Sequence, residues 1–400
     1  MSDGFSYMIL GAGKQGLAAA YDLLKHGRAA RLTVADGSPR AARAAVRRLR
    51  SLLGAKIKKE RIQLAAKGLY AKSPKDLIRV MNGHHAVLSA LPYYLNPAVA
   101  RAAIASGLHY ADLGGYFDAT RQIHKLHRRA KKAGVTLIPD CGISPGLCNS
   151  LAVCGMERLD RPQEVHIYCG GLPQRPQPPL DYKVVFNLEG VLGNYFGKSY
   201  VLKNGKVELI PSFSGREMLS FGRPLGRLEA RVTGGATSTC PWTFRGVLKA
   251  YDYKTLRYPG HYEKIELLKD LGLLATDRVR VNGYRVAPRD VFVATAGPRL
   301  AFPKDRDLLV LRVVVRGKRN HANAEAVYDL LDYGDARTGF TAMQRTTGFS
   351  AAIVLALLAQ GGVREKGVVP VEKAVDGRMM LEAVRARGLR VIERVRGGHR

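Results

Sequence analysis

The chain has 400 residues, 46% of them hydrophobic, and a formal net charge of +31. That length supports two substantial cores, and the composition excludes disordered, fibrous and collagenous classes. No apolar run reaches the roughly 18 residues that span a bilayer, so no membrane partner is expected. The Lys and Arg residues are spread along the whole chain, densest at Arg40 to Arg50 and Lys125 to Lys132, with no aromatic-basic reader motif beside them. They read as solvated helix faces, and no nucleic-acid partner is expected.

In chain order, the first 140 residues alternate short apolar strands with helical stretches, the pattern of βαβ units and a parallel sheet covered on both faces. Strands are predicted at Ser6–Leu10, Arg31–Asp36, Ile62–Ala66, His85–Leu91, Tyr110–Gly114 and Val135–Asp140. Ser73-Pro74 and Asn96-Pro97 each offer a polar N-cap followed by Pro at the first helical position, while Gly27, Gly83, Gly107 and Gly134 fall where helices stop. After Asp140 longer strands follow (Glu164–Gly170, Arg278–Val281, Leu308–Val315), broken by a Pro-rich connection from Leu172 to Pro179. Thr346 to Leu358 is an apolar helical run closed by Gly361-Gly362, hydrophobic nearly all round, and predicted to lie between layers.

The fold class expected is α/β: an N-terminal Rossmann doubly wound parallel sheet with a second α+β domain for substrate and dimerisation. Residues 1–144 and 345–400 form the first domain, with C-terminal helices returning to it, and 145–344 form the second. The N-terminus runs from Met1-Ser2-Asp3-Gly4 directly into an apolar strand, and the five cysteines show no zinc-clasp spacing. A cytoplasmic location with reduced thiols and no metal site is expected.

Gly11-Ala12-Gly13-Lys14-Gln15-Gly16 follows a predicted strand and opens a predicted helix, the context that turns a weak glycine motif into a dinucleotide fingerprint. Gly11 supplies the tight turn, Gly13 clears the way for a pyrophosphate, and Gly16 lets helix and strand approach, leaving helix N–H groups aimed at phosphate. Asp36, 20 residues after Gly16, suits ribose hydroxyls and repels a 2′-phosphate, which favours NAD over NADP; Arg40 close behind tempers that preference. Leu91 and Pro92, at the carboxyl end of a later strand, are placed beside the nicotinamide ribose.

These blocks, with Leu91 to Asn96, Tyr110 to Gly115, Ile138 to Gly146, Gly170 to Pro173, Gly234 to Thr239, Tyr253 to His261 and Met343 to Gly348, resemble the saccharopine dehydrogenase-like oxidoreductases. Phe186-Asn187-Leu188-Glu189-Gly190 resembles the lysine 6-dehydrogenase version, whereas Ala236 departs from the commoner Gly-Gly-Thr-Ser-Thr run. The resemblance implies NAD-dependent oxidation of an amino-acid amine, the ε-amine of L-lysine first, to a semialdehyde that cyclises. Saccharopine- or carboxynorspermidine-type oxidoreduction is the alternative, and a non-enzymatic dinucleotide-sensing or nucleic-acid-associated protein is a remote third. It also implies a small-molecule amino-acid substrate, a pocket completed by the second domain, and a homodimer or larger homo-oligomer.

Such chemistry needs a proton acceptor, a carboxylate anchor and a seat for the α-ammonium. Asp140, at a strand end, and His261, after Pro259-Gly260, are candidates for proton transfer, although Asp140 also suits a helix cap and His261 a polar turn. Arg257 offers a two-pronged carboxylate anchor, with Lys254, also a candidate catalytic group, and Thr239 as further donors. Glu189 and Asp112 are candidates for the ammonium. Tyr94 and Tyr182 serve either substrate orientation or core packing.

Overall fold

The computed structural model describes residues 4–398, so the outermost domain limits at 1 and 400, and the run Met1 to Asp3, lie outside the described residues. Six strands of the first sheet are β1 (Phe5–Leu10), β2 (Ala29–Asp36), β3 (Gln63–Gly68), β4 (Ala86–Ser89), β5 (His109–Asp112) and β6 (Thr136–Ile138). With Gly367–Val368 they make one parallel sheet in the order Gly367–Val368, β6, β5, β4, β1, β2, β3. The chain winds outward from β1 to β3, then returns to the other side of β1 as β4. A crevice therefore opens at the carboxyl ends of β1 and β4, where such sheets bind ligands. The central strands are mostly buried, as expected for apolar runs covered by helices on both faces, while only Leu64 of the edge strand β3 is buried.

Helix ends follow local chemistry. Ser73 accepts from Asp76 N and caps Pro74–Met81, while Gly83, Gly107 and Gly134 take positive φ just beyond helix ends. Asn96 differs from expectation. It is the first helical residue, capped by Leu95, and its Oδ1 accepts from Ser89 Oγ at 2.8 Å, so its side chain ties the helix to β4 instead of capping it.

The second sheet runs Glu217–Ser220, Arg227–Val232, Ala250–Arg257, Arg161–Pro173, Asp307–Arg319, Ala322–Asp332, Val391–Gly397, with the hairpin Lys198–Lys203/Lys206–Pro211 joined to Ala250–Arg257. Its pairs are antiparallel except Ala250–Arg257 beside Arg161–Pro173. The last strand corrects the expected division, in which everything beyond 345 returns to the first domain. Val391–Gly397 instead completes the second sheet by pairing with Ala322–Asp332, held by Arg158 Nε to Glu393 at 2.7 Å and Tyr328 Oη to Glu393 at 3.0 Å.

The apolar run near the end is the helix Ala342–Ala359, capped at Thr341. By length and composition it could cross a membrane, yet most of it is buried between α1 (Lys14–His26) and the sheets. A Cβ at Gly348 would lie 2.7 Å from Ala18 Cβ and 3.0 Å from Gln15 O, so glycine is what lets the two helices touch. The helix thereby links the glycine turn to the second domain.

Candidate functional site

The glycine turn divides its work in three. Gly11 has φ +102°, and a Cβ there would meet Ala90 O at 2.6 Å; at Gly16 it would lie 1.9 Å from Gly11 O. At Gly13 it would meet nothing within 4 Å, so that position faces open space above α1. No side chain caps α1 and no acid stands in its first turn, which leaves the amides of Lys14, Gln15 and Gly16 free for an anion. The residues present therefore fit a pyrophosphate.

Asp36 sits at the end of β2 with both oxygens engaged: Oδ2 accepts Ala12 N at 2.8 Å and Oδ1 accepts Ser38 N at 2.8 Å. It braces the turn, and Arg40 is exposed beyond it. Leu91 and Pro92 follow β4 at the crevice. Tyr94 stands 63% exposed with its ring edge-on to Tyr93.

Between the turn and the second sheet lies a cleft of about 240 Å³. Gln15 and Gly114 line it from the first domain, Met343 and Thr347 from the long helix, Asn194 and Tyr195 from the helix Leu188–Tyr195 and its neighbourhood, and Tyr253, Thr255 and Arg257 from one strand. Gln15 Oε1 is buried without a partner. Alternation along Ala250–Arg257 explains the last three, since residues two apart share a face. The same alternation corrects Lys254. It points to the opposite face, where Nζ bonds Glu217 Oε2 at 2.7 Å, and it cannot join Arg257 at one substrate.

Arg257 is 4% exposed and has no carboxylate partner among the described residues. Its Nε donates to Tyr195 Oη at 2.7 Å, its Nη1 to Leu256 O at 2.8 Å, and the Tyr182 ring stacks 4.8 Å from the guanidinium. Burial opposes the charge, but the phenolic oxygens of Tyr195 and Tyr182 outweigh it and keep Arg257 ionised. Tyr182 is thus a packing partner of the anchor, its own hydroxyl buried without a partner.

His261 stands behind this wall. Nδ1 bonds Leu180 O at 2.8 Å and Nε2 lies 3.0 Å from Tyr195 Oη. Burial, then Arg257, pulls its pKa down to about 3, so the neutral ring donates to Leu180, accepts from Tyr195 and leaves the phenolic oxygen free to accept from Arg257. His261 orients the anchor and does not itself line the cleft, which it meets through Tyr195.

Asp140 and Asp112 lie behind the cleft wall. Asp140 has φ +64°, accepts from Thr120 Oγ1 at 3.0 Å and from Ser238 Oγ of the second domain, and burial followed by the Asp112 carboxylate pushes its pKa up to about 8. Gly114 separates it from the cleft: a Cβ there would meet Asp140 Oδ1 at 2.3 Å. Asp112 accepts Tyr110 Oη at 2.6 Å, Gly114 N at 2.7 Å and Asp140 N at 2.9 Å, which leaves no place for an ammonium. Glu189 is exposed in the first turn of its helix, outside the cleft. Thr239 donates to Glu372 Oε1 at 2.7 Å and faces a different cavity.

Tyr195, Asn194, Tyr253 and Thr255 complete the cleft without having been singled out by sequence, and Gln15 joins them from the glycine turn. Tyr253 and Thr255 share the alternating face of Arg257, a signal the strand carries. The others reach the cleft only through tertiary packing.

Residues 7–138 match the saccharopine dehydrogenase NADP binding domain and residues 142–389 the saccharopine dehydrogenase C-terminal domain. The chain belongs to the saccharopine dehydrogenase family. Its first domain is accordingly a pyridine-nucleotide-binding domain. The mitochondrial alpha-aminoadipic semialdehyde synthase of Bos taurus is 26% identical over 393 residues, 80% of this chain and 41% of that protein. This chain thus spans about two fifths of that relative's length. A saccharopine dehydrogenase [NADP(+), L-glutamate-forming] of Pyricularia oryzae is 23% identical over 78% of this chain and 84% of its own. The apo saccharopine dehydrogenase (L-Glu forming) structure from Saccharomyces cerevisiae shares the fold, with TM-score 0.78 at 20% identity over 98% of this chain and 100% of that one.

Proposed function

We propose that this protein is a pyridine-nucleotide-dependent oxidoreductase acting at the carbon–nitrogen bond of an amino-acid amine whose carboxylate sits on Arg257. One observation carries the reading: a buried guanidinium without an acid faces a cleft that opens beside the glycine turn. A buried cation left unpaired is costly unless a ligand anion completes it. The bound nucleotide supplies the hydride acceptor. The chain's own residues do the rest: Arg257 and Tyr195 fix the carboxylate, Gln15 Oε1 offers an acceptor to an amine N–H, and the long helix closes the cleft from bulk water.

The saccharopine-type reaction is the first reading, supported by the named relatives. In that direction saccharopine, oxidised nucleotide and water give glutamate, a semialdehyde, reduced nucleotide and a proton. Oxidation of the lysine ε-amine is the second reading, favoured by Arg257 being the one charged residue lining the cleft, which suits a substrate with one carboxylate. We take NADP as the nucleotide in place of the NAD expected from Asp36. The names of the relatives support this, as does the engagement of both Asp36 oxygens by Ala12 and Ser38 with Arg40 exposed nearby.

The test supplies saccharopine or L-lysine with NAD or NADP and follows absorbance of the reduced nucleotide. Signal with saccharopine supports the first reading, and signal with lysine alone supports the second. Reduction by neither, in the forward direction or with glutamate and the semialdehyde in reverse, overturns both.

A further inference from the structure

A second cavity, of about 690 Å³, is lined on one side by the α-helix Phe117–His124 and shares no lining residue with the cleft. That volume is in the range of small-molecule sites. Its floor is aromatic: Phe117 and Trp242 stack with ring centroids 4.9 Å apart and planes 9° apart, and Tyr200 meets Trp242 at 4.8 Å. Trp242 nevertheless remains 41% exposed, an unusual surplus of apolar surface for the most costly ring to leave in water. Its rim is basic. Arg121 and Lys125, one helical turn apart, line the cavity, and none of its lining residues is acidic. Arg121 has only a loose contact with the exposed Asp118, at 3.6 Å, and His124 Nε2 is buried in the same wall without a hydrogen-bond partner.

This combination is specific in chemical terms. An aromatic platform receives a planar ring, two flexible cations on one helix face receive a doubly charged anion, and an orphan imidazole nitrogen receives a polar group between them. We propose that this basin binds a nucleoside monophosphate, with the base over Trp242 and the phosphate between Arg121 and Lys125. The walls come from both halves of the molecule: Phe117, Arg121 and Lys125 follow β5 in the first domain, and Tyr200 and Trp242 belong to the second. An occupant therefore spans the domain boundary. The site is separate from the glycine turn, where the dinucleotide is held, and does not depend on the reaction proposed above.

The sequence contains a single tryptophan, so its fluorescence reports this basin alone. Titration of the full chain with AMP should quench that fluorescence saturably, adenosine should bind more weakly, and inorganic phosphate should compete without quenching. The pair Arg121→Gln and Lys125→Gln should raise the AMP dissociation constant at least about tenfold. Gly13→Val, which obstructs the dinucleotide site, should leave it unchanged. Absence of quenching overturns the proposal and makes the aromatic stack a brace between domains. So does quenching that survives the Arg121 and Lys125 changes but is lost in Gly13→Val, which would place AMP on the glycine turn. Unaltered circular dichroism in the double variant keeps loss of folding from imitating the expected result.

Discussion

The glycine turn and the wall facing it across the cleft are built by opposite means. The turn is six consecutive residues whose contribution, the Gln15 side chain apart, is backbone and absent side chains: Gly11 and Gly16 let main chains touch, and Gly13 leaves room. The wall is assembled from Tyr195, Tyr253, Thr255 and Arg257, on two elements far apart in sequence, and its contribution is side-chain hydrogen bonds around one charge. Substitutions in the two regions should therefore leave different signatures. Those in the turn act through space, those in the wall through charge and orientation.

The largest effect is expected at the charge. Arg257→Met should lower kcat/KM for the amine substrate by about 10²- to 10³-fold, while nucleotide affinity stays level. Thermal stability should fall far less than activity, because the change loses the Tyr195 hydrogen bond and the Tyr182 contact but also the cost of burying a cation that has no acid. Arg257→Lys keeps the charge but loses the fork, and should fall between. A melting temperature that drops in step with activity would mean that Arg257 serves the fold instead of a ligand.

Next comes the split within the turn. Gly16→Ala forces a Cβ to within 1.9 Å of Gly11 O and should cost about 1–3 kcal/mol of stability. Gly13→Ala meets no protein atom within 4 Å, so its melting temperature should be that of the wild type. Its nucleotide dissociation constant should rise roughly tenfold, since the methyl group enters the space a pyrophosphate would occupy. Equal stability losses in the two variants would show that Gly13 is packed as tightly as Gly16.

These two regions also differ in how far sequence revealed them. The turn was legible because its requirement is local: three glycines, a strand before, a helix after, and an acid at the end of the next strand. The parallel order of the first sheet was legible for the same reason, through repeated strand-helix punctuation. In the wall, Arg257 was legible as an anchor, but Lys254 was read beside it although strand residues three apart face opposite ways. Asp140, Asp112 and His261 carry the residue types of proton chemistry, yet each is enclosed by partners from distant segments: Ser238 on Asp140, the Asp140 amide on Asp112, Tyr195 and Leu180 on His261. Burial and partnership at separations of tens of residues leave no local mark. Nor does the crossing of Val391–Gly397 to the second sheet.

A smaller, pH-dependent effect follows from that enclosure. Asp140, pushed to about 8, holds a proton in the native state over a range in which the unfolded carboxyl, near 3.8, has lost it. The native state therefore binds more protons between those values, and stability falls as pH rises through them, by at most about 1.4 kcal/mol per pH unit. Below the lower value both states are protonated and the contribution is constant. Urea unfolding of wild type and Asp140→Asn, compared from about pH 5 to about pH 8, should show a flatter profile in the variant. Parallel profiles would assign the pH dependence to other groups.

The smallest effect should appear three residues from the largest. Lys254 shares its strand with Arg257, but its ion pair with Glu217 lies on the outer face, where the partners are 17% and 38% exposed. Lys254→Ala should cost less than about 1 kcal/mol and leave kcat and KM unchanged. Tyr253→Phe and Thr255→Val, on the cleft face, should alter KM or kcat while changing stability little more than Lys254→Ala does. If Lys254→Ala instead impaired turnover as Arg257→Met does, the face of this strand that meets the substrate would be the outer one. The cleft beside the glycine turn would then lose its claim to the chemistry, because no substrate could reach both faces of one strand at once.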